Sequence, residues 1–271
     1  MRFYTYVGTL HYVMLAAALN EKELIVLDRP NPNGYYCDGP MPDKNFTPSF
    51  VCMHPVPVVH GLTIGEYAQL INGEHWLVEN DPSLNKNVGD DLYCNLTVIP
   101  CLGYNHRSRY NLPIKPSPNL PDMKSVYYYP SLCWFEGTVI SLGRGTDKPF
   151  QQFGHPDLKG YSYSFTPKST TGAKEPPCKD KTCFGKDLST IATTDLAKAQ
   201  QLNLDYLLEA YRNFPAKAHF FTPFFSTLAG GKTLQQQIEK GMTADQIRAT
   251  WQNDLNQFNL LRKKYALYGE M

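Results

Sequence analysis

The chain has 271 residues, 42% hydrophobic and 19% charged, which fits one large or two ordinary folded domains and excludes a disordered polypeptide. A formal net charge of +1 offers no electrostatic basis for binding nucleic acid or an anionic membrane. Seven cysteines without a CxxC or a Cys/His cluster argue against a zinc site, and no metal or organic cofactor is expected.

Residues 5–20 combine good helix formers with apolar side chains on more than one face, predicting a helix buried between layers. The apolar run 12–19 is far below the roughly 20 residues of a membrane span. No basic region followed by a hydrophobic run and a cleavage site reads as an export signal, which leaves either a cytoplasmic protein or an absent beginning. Residues 23–28 (ELIVLD) predict a buried parallel strand that enters the turn-rich D-R-P-N-P-N-G of 28–34. Helix then strand is half of a βαβ unit, and loops at the carboxyl ends of such strands hold ligands in α/β proteins. Asp28, Arg29 and Asn31 are therefore site candidates, although Asp28 and Arg29 can equally pair and cap the loop. The proline-rich stretch 37–59 predicts a loop. In H-G-L-T-I-G-E (60–66) Thr63 is a helix N-cap and Glu66 completes a capping box, which explains Glu66 without chemistry. His60, at the loop–helix junction, is less well explained and can titrate near neutrality. Residues 92–101 predict a strand, and P-S-P-N-L-P (116–121) a rigid loop.

The run 125–133 (SVYYYPSLC) reads as an apolar strand that delivers Glu136, followed at once by Gly137. Gly143 and Gly145 then bracket Arg144, a planar cation suited to carboxylate or phosphate. Loops 28–34, 54–62, 115–121 and 136–146 are thus expected to converge on one face. After residue 150 the composition shifts to Pro, Gly, Ser, Thr and Tyr, predicting short strands such as 161–165 and a domain boundary near 147. Cys178 and Cys183 can close a small disulfide ring in an oxidising compartment. Residues 195–214 predict a helix, and Thr243 with Gln246 a box-like start to a long amphipathic helix through Trp251, Leu255, Phe258 and Leu261. The chain lacks G-x-x-x-x-G-K-[ST], G-x-G-x-x-G and G-x-S-x-G, so phosphate-loop and serine-hydrolase chemistry have no motif. Acid/base chemistry on a sugar remains, with Glu136 the best-placed carboxylate and Asp28, Asp38 and Glu66 behind it.

Six ordered motifs, R-F-Y-T-Y (2–6), D-R-P-N-P (28–32), H-G-L-T-I-G-E (60–66), P-S-P-N-L-P (116–121), F-E-G-T (135–138) and G-R-G-T-D-K-P-F (143–150), resemble the NamZ family of exo-β-N-acetylmuramidases. The likeness continues through F-T-P (165–167), C-F-G-K-D-L (183–188) and R-K-K-Y-A-L-Y (262–268). The resemblance implies release of N-acetylmuramic acid from the non-reducing end of peptidoglycan-derived glycans. It implies an α/β fold with a Rossmann-like, mostly parallel sheet over 1–147 and a smaller α+β domain over 148–271, with the active site in the cleft between them. It places Glu136 as catalyst and Arg144, His60, Asn119, Asp28 and Arg29 around the sugar, with Arg144 or Arg29 clamping the lactyl carboxylate. It also implies a periplasmic or secreted protein. Val139 and Leu142 stand where the family commonly has Asn and Glu. The family carries a further α/β segment before R-F-Y-T-Y, with a Glu-His-Gly motif. A chain without it is expected to be a fragment or shortened product, and a catalytically silent muramyl-sugar-binding remnant is the alternative reading.

Overall fold

The computed structural model describes residues 1–79 and 92–269. In chain order it contains α1 (Tyr6–Leu19), β1 (Glu23–Leu27), α2 (Ile64–Gly73), α3 (Trp76–Glu79), β2 (Asn95–Ile99) and α4 (Met123–Leu132). The antiparallel strands β3 (Gln152–His155), β4 (Tyr163–Phe165) and β5 (Cys183–Asp187) follow. The chain ends in α5 (Thr193–Ala199), α6 (Asp205–Asn213), α7 (Phe224–Ala229), α8 (Thr233–Glu239), α9 (Ala244–Thr250) and α10 (Gln252–Lys263). The fold is mixed α/β, with a parallel strand pair, flanking helices and a separate antiparallel sheet. The chain divides into two compact units, residues 1–110 with 251–271, and residues 111–250. Residue 147, near which a boundary is expected from the sequence, lies inside the second unit.

In the first unit β1 and β2 pair in parallel, Glu23 opposite Asn95 through Leu27 opposite Ile99. Leu24, Val26 and Leu96 turn toward a core formed by Met14 and Leu15 of α1, Tyr67, Leu70 and Ile71 of α2, and Phe258 of α10. Parallel pairing is as the sequence predicts, but burial is one-sided: Ile25, Leu27 and Ile99 on the opposite face are exposed. Helix α2 starts with the expected capping box, Thr63 Oγ1 accepting from Glu66 N at 3.2 Å and Glu66 Oε2 from Thr63 N at 2.9 Å.

The second unit corrects one reading. Residues 125–133 are not a strand; they lie in α4 and the 3₁₀ turn that follows it (Cys133–Gly137). Asp122 caps this helix by accepting from Ser125 N at 2.8 Å. Ser125 through Leu132 are all buried, so the segment is apolar on every side and shows no helical periodicity. Pro130 falls near its end, and the helix stops two residues later. Two other expected helices are each broken in two. Gln200, left-handed at φ 47°, ends α5 before α6 begins. Trp251 separates α9 from α10 and donates from Nε1 to Asp38 at 3.1 Å. The predicted start at Thr243 is present, with Gln246 Oε1 accepting from Thr243 N at 2.9 Å. The core of this unit is aromatic, with Phe135 stacked on Phe153 at 5.1 Å and Phe221 against Phe225 at 4.5 Å.

Candidate functional site

The six candidate residues fall into two groups, Asp28, Arg29 and His60 in the first unit and Asn119, Glu136 and Arg144 in the second. Asp28 follows β1 and is buried. Its carboxylate accepts from Arg29 N (2.8 Å), Gly65 N (2.7 Å), Thr63 Oγ1 (2.7 Å) and Tyr268 Oη (2.6 Å). With both oxygens saturated, Asp28 fastens the loop after β1 to the start of α2. It pairs with the Arg29 backbone rather than with the guanidinium, which is exposed. Asn31 strengthens the junction by donating to Leu62 O at 2.8 Å. Loops 28–34 and 54–62 therefore meet as expected, through Asn31 and Leu62.

His60 is buried edge-on against Tyr67, ring centroids 4.8 Å apart. Its Nδ1 accepts from Leu62 N at 3.1 Å, and its Nε2 lies 2.9 Å from the Met1 nitrogen. Burial, reinforced by positive charge at Met1 and Arg262, holds its imidazole well below the usual range. His60 is thus a neutral, internally bonded ring and not a titrating group near neutrality. Sequence reasoning missed the polar centre beside it. Glu66 Oε1 accepts from His106 Nε2 at 2.9 Å and from Leu267 N at 3.0 Å, while His106 Nδ1 faces Gly34 O at 2.9 Å. His106 thus bridges the Glu66 carboxyl group and the Gly34 carbonyl, each within 2.9 Å of a ring nitrogen. Tyr268 lies in the R-K-K-Y-A-L-Y motif, whereas His106 belongs to no motif and could not have been singled out.

In the second unit Glu136 sits in the 3₁₀ turn after α4, part-exposed at 24%, and forms an ion pair with Arg144, itself 35% exposed. Its second oxygen accepts from Cys133 Sγ at 3.2 Å. Burial, with the Glu136 charge next, pushes the Cys133 thiol well up, so it stays protonated and donates. Arg144 lies over the Phe150 ring at 5.4 Å, and its buried Nε has no acceptor among the described residues. Asn119 is half-buried and donates from Nδ2 to Gly172 O at 3.0 Å. The connection between β4 and β5 that carries Gly172 also bonds Lys168 N to Gly145 O at 2.9 Å, so one segment supports both the Asn119 and the Arg144 loops. A carboxylate held by a guanidinium and a thiol is an acceptor. It can receive a sugar hydroxyl or amide, or abstract a proton, and to act as an acid it must first acquire one. A cavity of about 460 Å³ in the first unit, lined by Met41, Phe46, His54, Trp76 and Phe258 among others, contains none of the six candidates. Among the described residues no cluster of three His, Cys, Asp or Glu side chains could hold a metal, and no helix is long and apolar enough to cross a membrane.

Against this geometry, the family model for the N-terminal part of exo-β-N-acetylmuramidase NamZ matches residues 1–124, and that for the C-terminal part matches 127–268. The peptidoglycan β-N-acetylmuramidase NamZ of Bacillus subtilis strain 168 is 33% identical over 284 residues, which cover 98% of this chain and 64% of that protein. The chain thus spans slightly less than two thirds of that relative's length. A DUF1343 family protein of Bacteroides fragilis NCTC 9343, solved at 1.30 Å, superposes with a TM-score of 0.92 at 47% identity, covering 100% of this chain and 73% of that one. A second from the same strain gives a TM-score of 0.74 at 25% identity, covering 99% and 72%.

Proposed function

The chain belongs to the NamZ exo-β-N-acetylmuramidase family, and from that premise we propose that it releases N-acetylmuramic acid from the non-reducing end of peptidoglycan-derived glycans. The observation that carries the reading is the part-exposed Glu136–Arg144 pair on the turn after α4. In this proposal Glu136 exchanges a proton with the reacting sugar or with water, and Arg144 offers its free donors to the lactyl carboxylate of the muramyl residue. Asn119 adds an amide on a loop held by the same β4–β5 connection. Asp28 and His60 act as positioning residues, since internal hydrogen bonds occupy them. In this proposal the protein works where such glycans are exposed, in the periplasm or outside the cell.

A second reading, sugar binding without turnover, is favoured by one observation. Glycosidases commonly use two carboxylates, whereas Asp28 and Glu66 are buried and saturated, leaving Glu136 as the accessible one of the three. The test is release of a chromogenic aglycone from a β-linked N-acetylmuramic acid glycoside, with the Glu136→Gln variant beside the native chain. Turnover that falls by about 10²–10⁴ in the variant is expected for a lost acid/base group. Undiminished turnover would remove Glu136 from the chemistry. Binding of the sugar with no turnover by either protein would establish the second reading instead.

A further inference from the structure

We propose that Cys133 is a positioning residue for Glu136, its thiol holding one carboxylate oxygen inward while the Arg144 guanidinium holds the other. This deepens the role proposed for Glu136 at a sugar and rests on it. In the 3₁₀ turn after α4, Cys133 precedes Glu136 by three residues, and its Sγ lies 3.2 Å from Glu136 Oε2. Arg144 takes the other oxygen, Oε1, from the loop that follows. Cys101, Cys178 and Cys183 turn their thiols to the backbone carbonyls of Asp28, Val139 and Lys181. Cys133 turns its thiol to a carboxylate.

The backbone under Glu136 has little freedom. Thr222 N donates to Gly137 O at 2.9 Å, and Thr138 N to Phe135 O at 2.9 Å. A Cβ added to Gly137 would lie 2.4 Å from the Phe225 Cα, so α7 presses directly on the turn. What stays free is the Glu136 side chain, which is long and rich in rotamers. Arg144 alone holds it weakly, because an ion pair this exposed to water is screened. The thiol supplies the second, dry anchor. Cys133 is fully buried, so it does not reach a ligand and acts through Glu136. Burial keeps it protonated and therefore a donor. The last turn of α4 supports Arg144 as well, since the Tyr129 ring packs 5.2 Å from Phe150, over which the guanidinium lies.

The consequence is a carboxylate that presents its remaining lone pairs in one direction. The inward bond keeps Glu136 from following the guanidinium toward solvent, and a reacting group displaced by about 1 Å can lose about 10²-fold in turnover. A donor role and a packing role make opposite predictions for substitution. Where the thiol only fills apolar space, Ala is the milder replacement, since a Ser hydroxyl without a partner is costly to bury. Where the thiol donates to Glu136, Ser keeps a donor and Ala leaves the buried side of the carboxylate without one, so Ser is the milder replacement.

The first readout is the infrared S–H stretching band of Cys133, taken as the difference between the native chain and Cys133→Ala. The same difference is then taken in a Glu136→Gln background. A thiol bonded to a carboxylate absorbs at lower frequency than one facing a neutral amide, so the band is expected to move up with Glu136→Gln. A band at the same position in both backgrounds would overturn the proposal, whether or not the native chain turns over. The second readout is turnover of the chromogenic glycoside. Cys133→Ala is expected to lose about tenfold in kcat with KM little changed, and Cys133→Ser to recover most of that loss. Full activity in Cys133→Ala, or a loss in Cys133→Ser as large as in Cys133→Ala, would assign the residue to packing and overturn the positioning role. With a native chain that binds N-acetylmuramic acid but does not turn over, the same order read in Kd supports the thiol, and the catalytic reading alone fails.

Discussion

Gly145 follows Arg144 at φ +80°, and a Cβ built there would meet the Lys168 carbonyl and the Pro176 ring. The guanidinium that pairs with Glu136 is therefore carried on a left-handed backbone that favours glycine, pressed against the β4–β5 connection. Gly160 supplies an internal comparison, since its φ is +82° but nothing lies within 4 Å of the added carbon. Both Gly→Ala changes carry the left-handed backbone cost of about 1 kcal/mol; Gly145→Ala adds a steric term against backbone that cannot swing away. We expect Gly145→Ala to lose at least about 1 kcal/mol more than Gly160→Ala in denaturant unfolding. Equal losses would show that the connection yields and that Arg144 is not held from below. The glycines flanking Arg144 are visible in the sequence, but the reason for the second one is not. Its contact lies more than twenty positions away in a segment without periodic pattern, which local reasoning does not reach.

At the scale of elements, α2 is where local signals and tertiary structure agree most fully. Thr63 and Glu66 form the capping box that their spacing predicts, yet the same Glu66 also receives His106 and the backbone of Leu267. The loop after β2 and the C-terminal tail are thus pinned to the first turn of one helix. Glu66→Gln keeps an acceptor oxygen for the cap and the side-chain shape but replaces the carboxyl oxygens that meet His106 and Leu267. Leaving a buried hydrogen-bond partner unsatisfied costs about 1–3 kcal/mol, and changing both groups in Glu66→Gln/His106→Gln is expected to cost less than the sum of the single changes. Additive losses would mean that the two groups are independent. The other elements divide on a physical line. α1, β1 and the box at Thr243 carry their own information, in apolar pattern or in capping residues a few positions apart. α4 does not, because a helix buried on all sides has no polar stripe, and three consecutive tyrosines suit a strand equally well. Asp122, which caps it, was legible in principle, since it accepts from Ser125 three residues on. The break at Trp251 is tertiary in origin, set by the indole reaching Asp38 far back in the chain. The candidate residues divide likewise: in the second unit Glu136, Arg144 and Asn119 lie on linked loops, while in the first the buried partners that saturate Asp28 and enclose His60 come from distant segments.

For the molecule as a whole, the buried histidines make a prediction about pH. His54 stacks on Trp76, and its nitrogens meet His11 Nδ1 at 3.0 Å and Tyr67 Oη at 3.1 Å. Burial first, then the neighbouring His11, holds its imidazole well below the ordinary value of 6.5, and burial does the same for His60. In the unfolded chain both rings take up a proton near 6.5, while in the folded chain they stay neutral to a lower pH. Below that value the unfolded state binds more protons, and stability falls with falling pH. The loss begins as pH drops through about 6.5 and levels off only below the depressed folded values. Two such rings give a slope of about 2.7 kcal/mol per pH unit within that window. The effect is separable from carboxylate titration, because ordinary Asp and Glu groups remain ionised down to about pH 5. Denaturant midpoints measured between pH 7.5 and 5 should be flat above 7 and fall steeply below 6.5. Midpoints unchanged down to pH 5 would mean that His54 and His60 accept protons in the folded chain as readily as in the unfolded one, and that the packing around them admits charge.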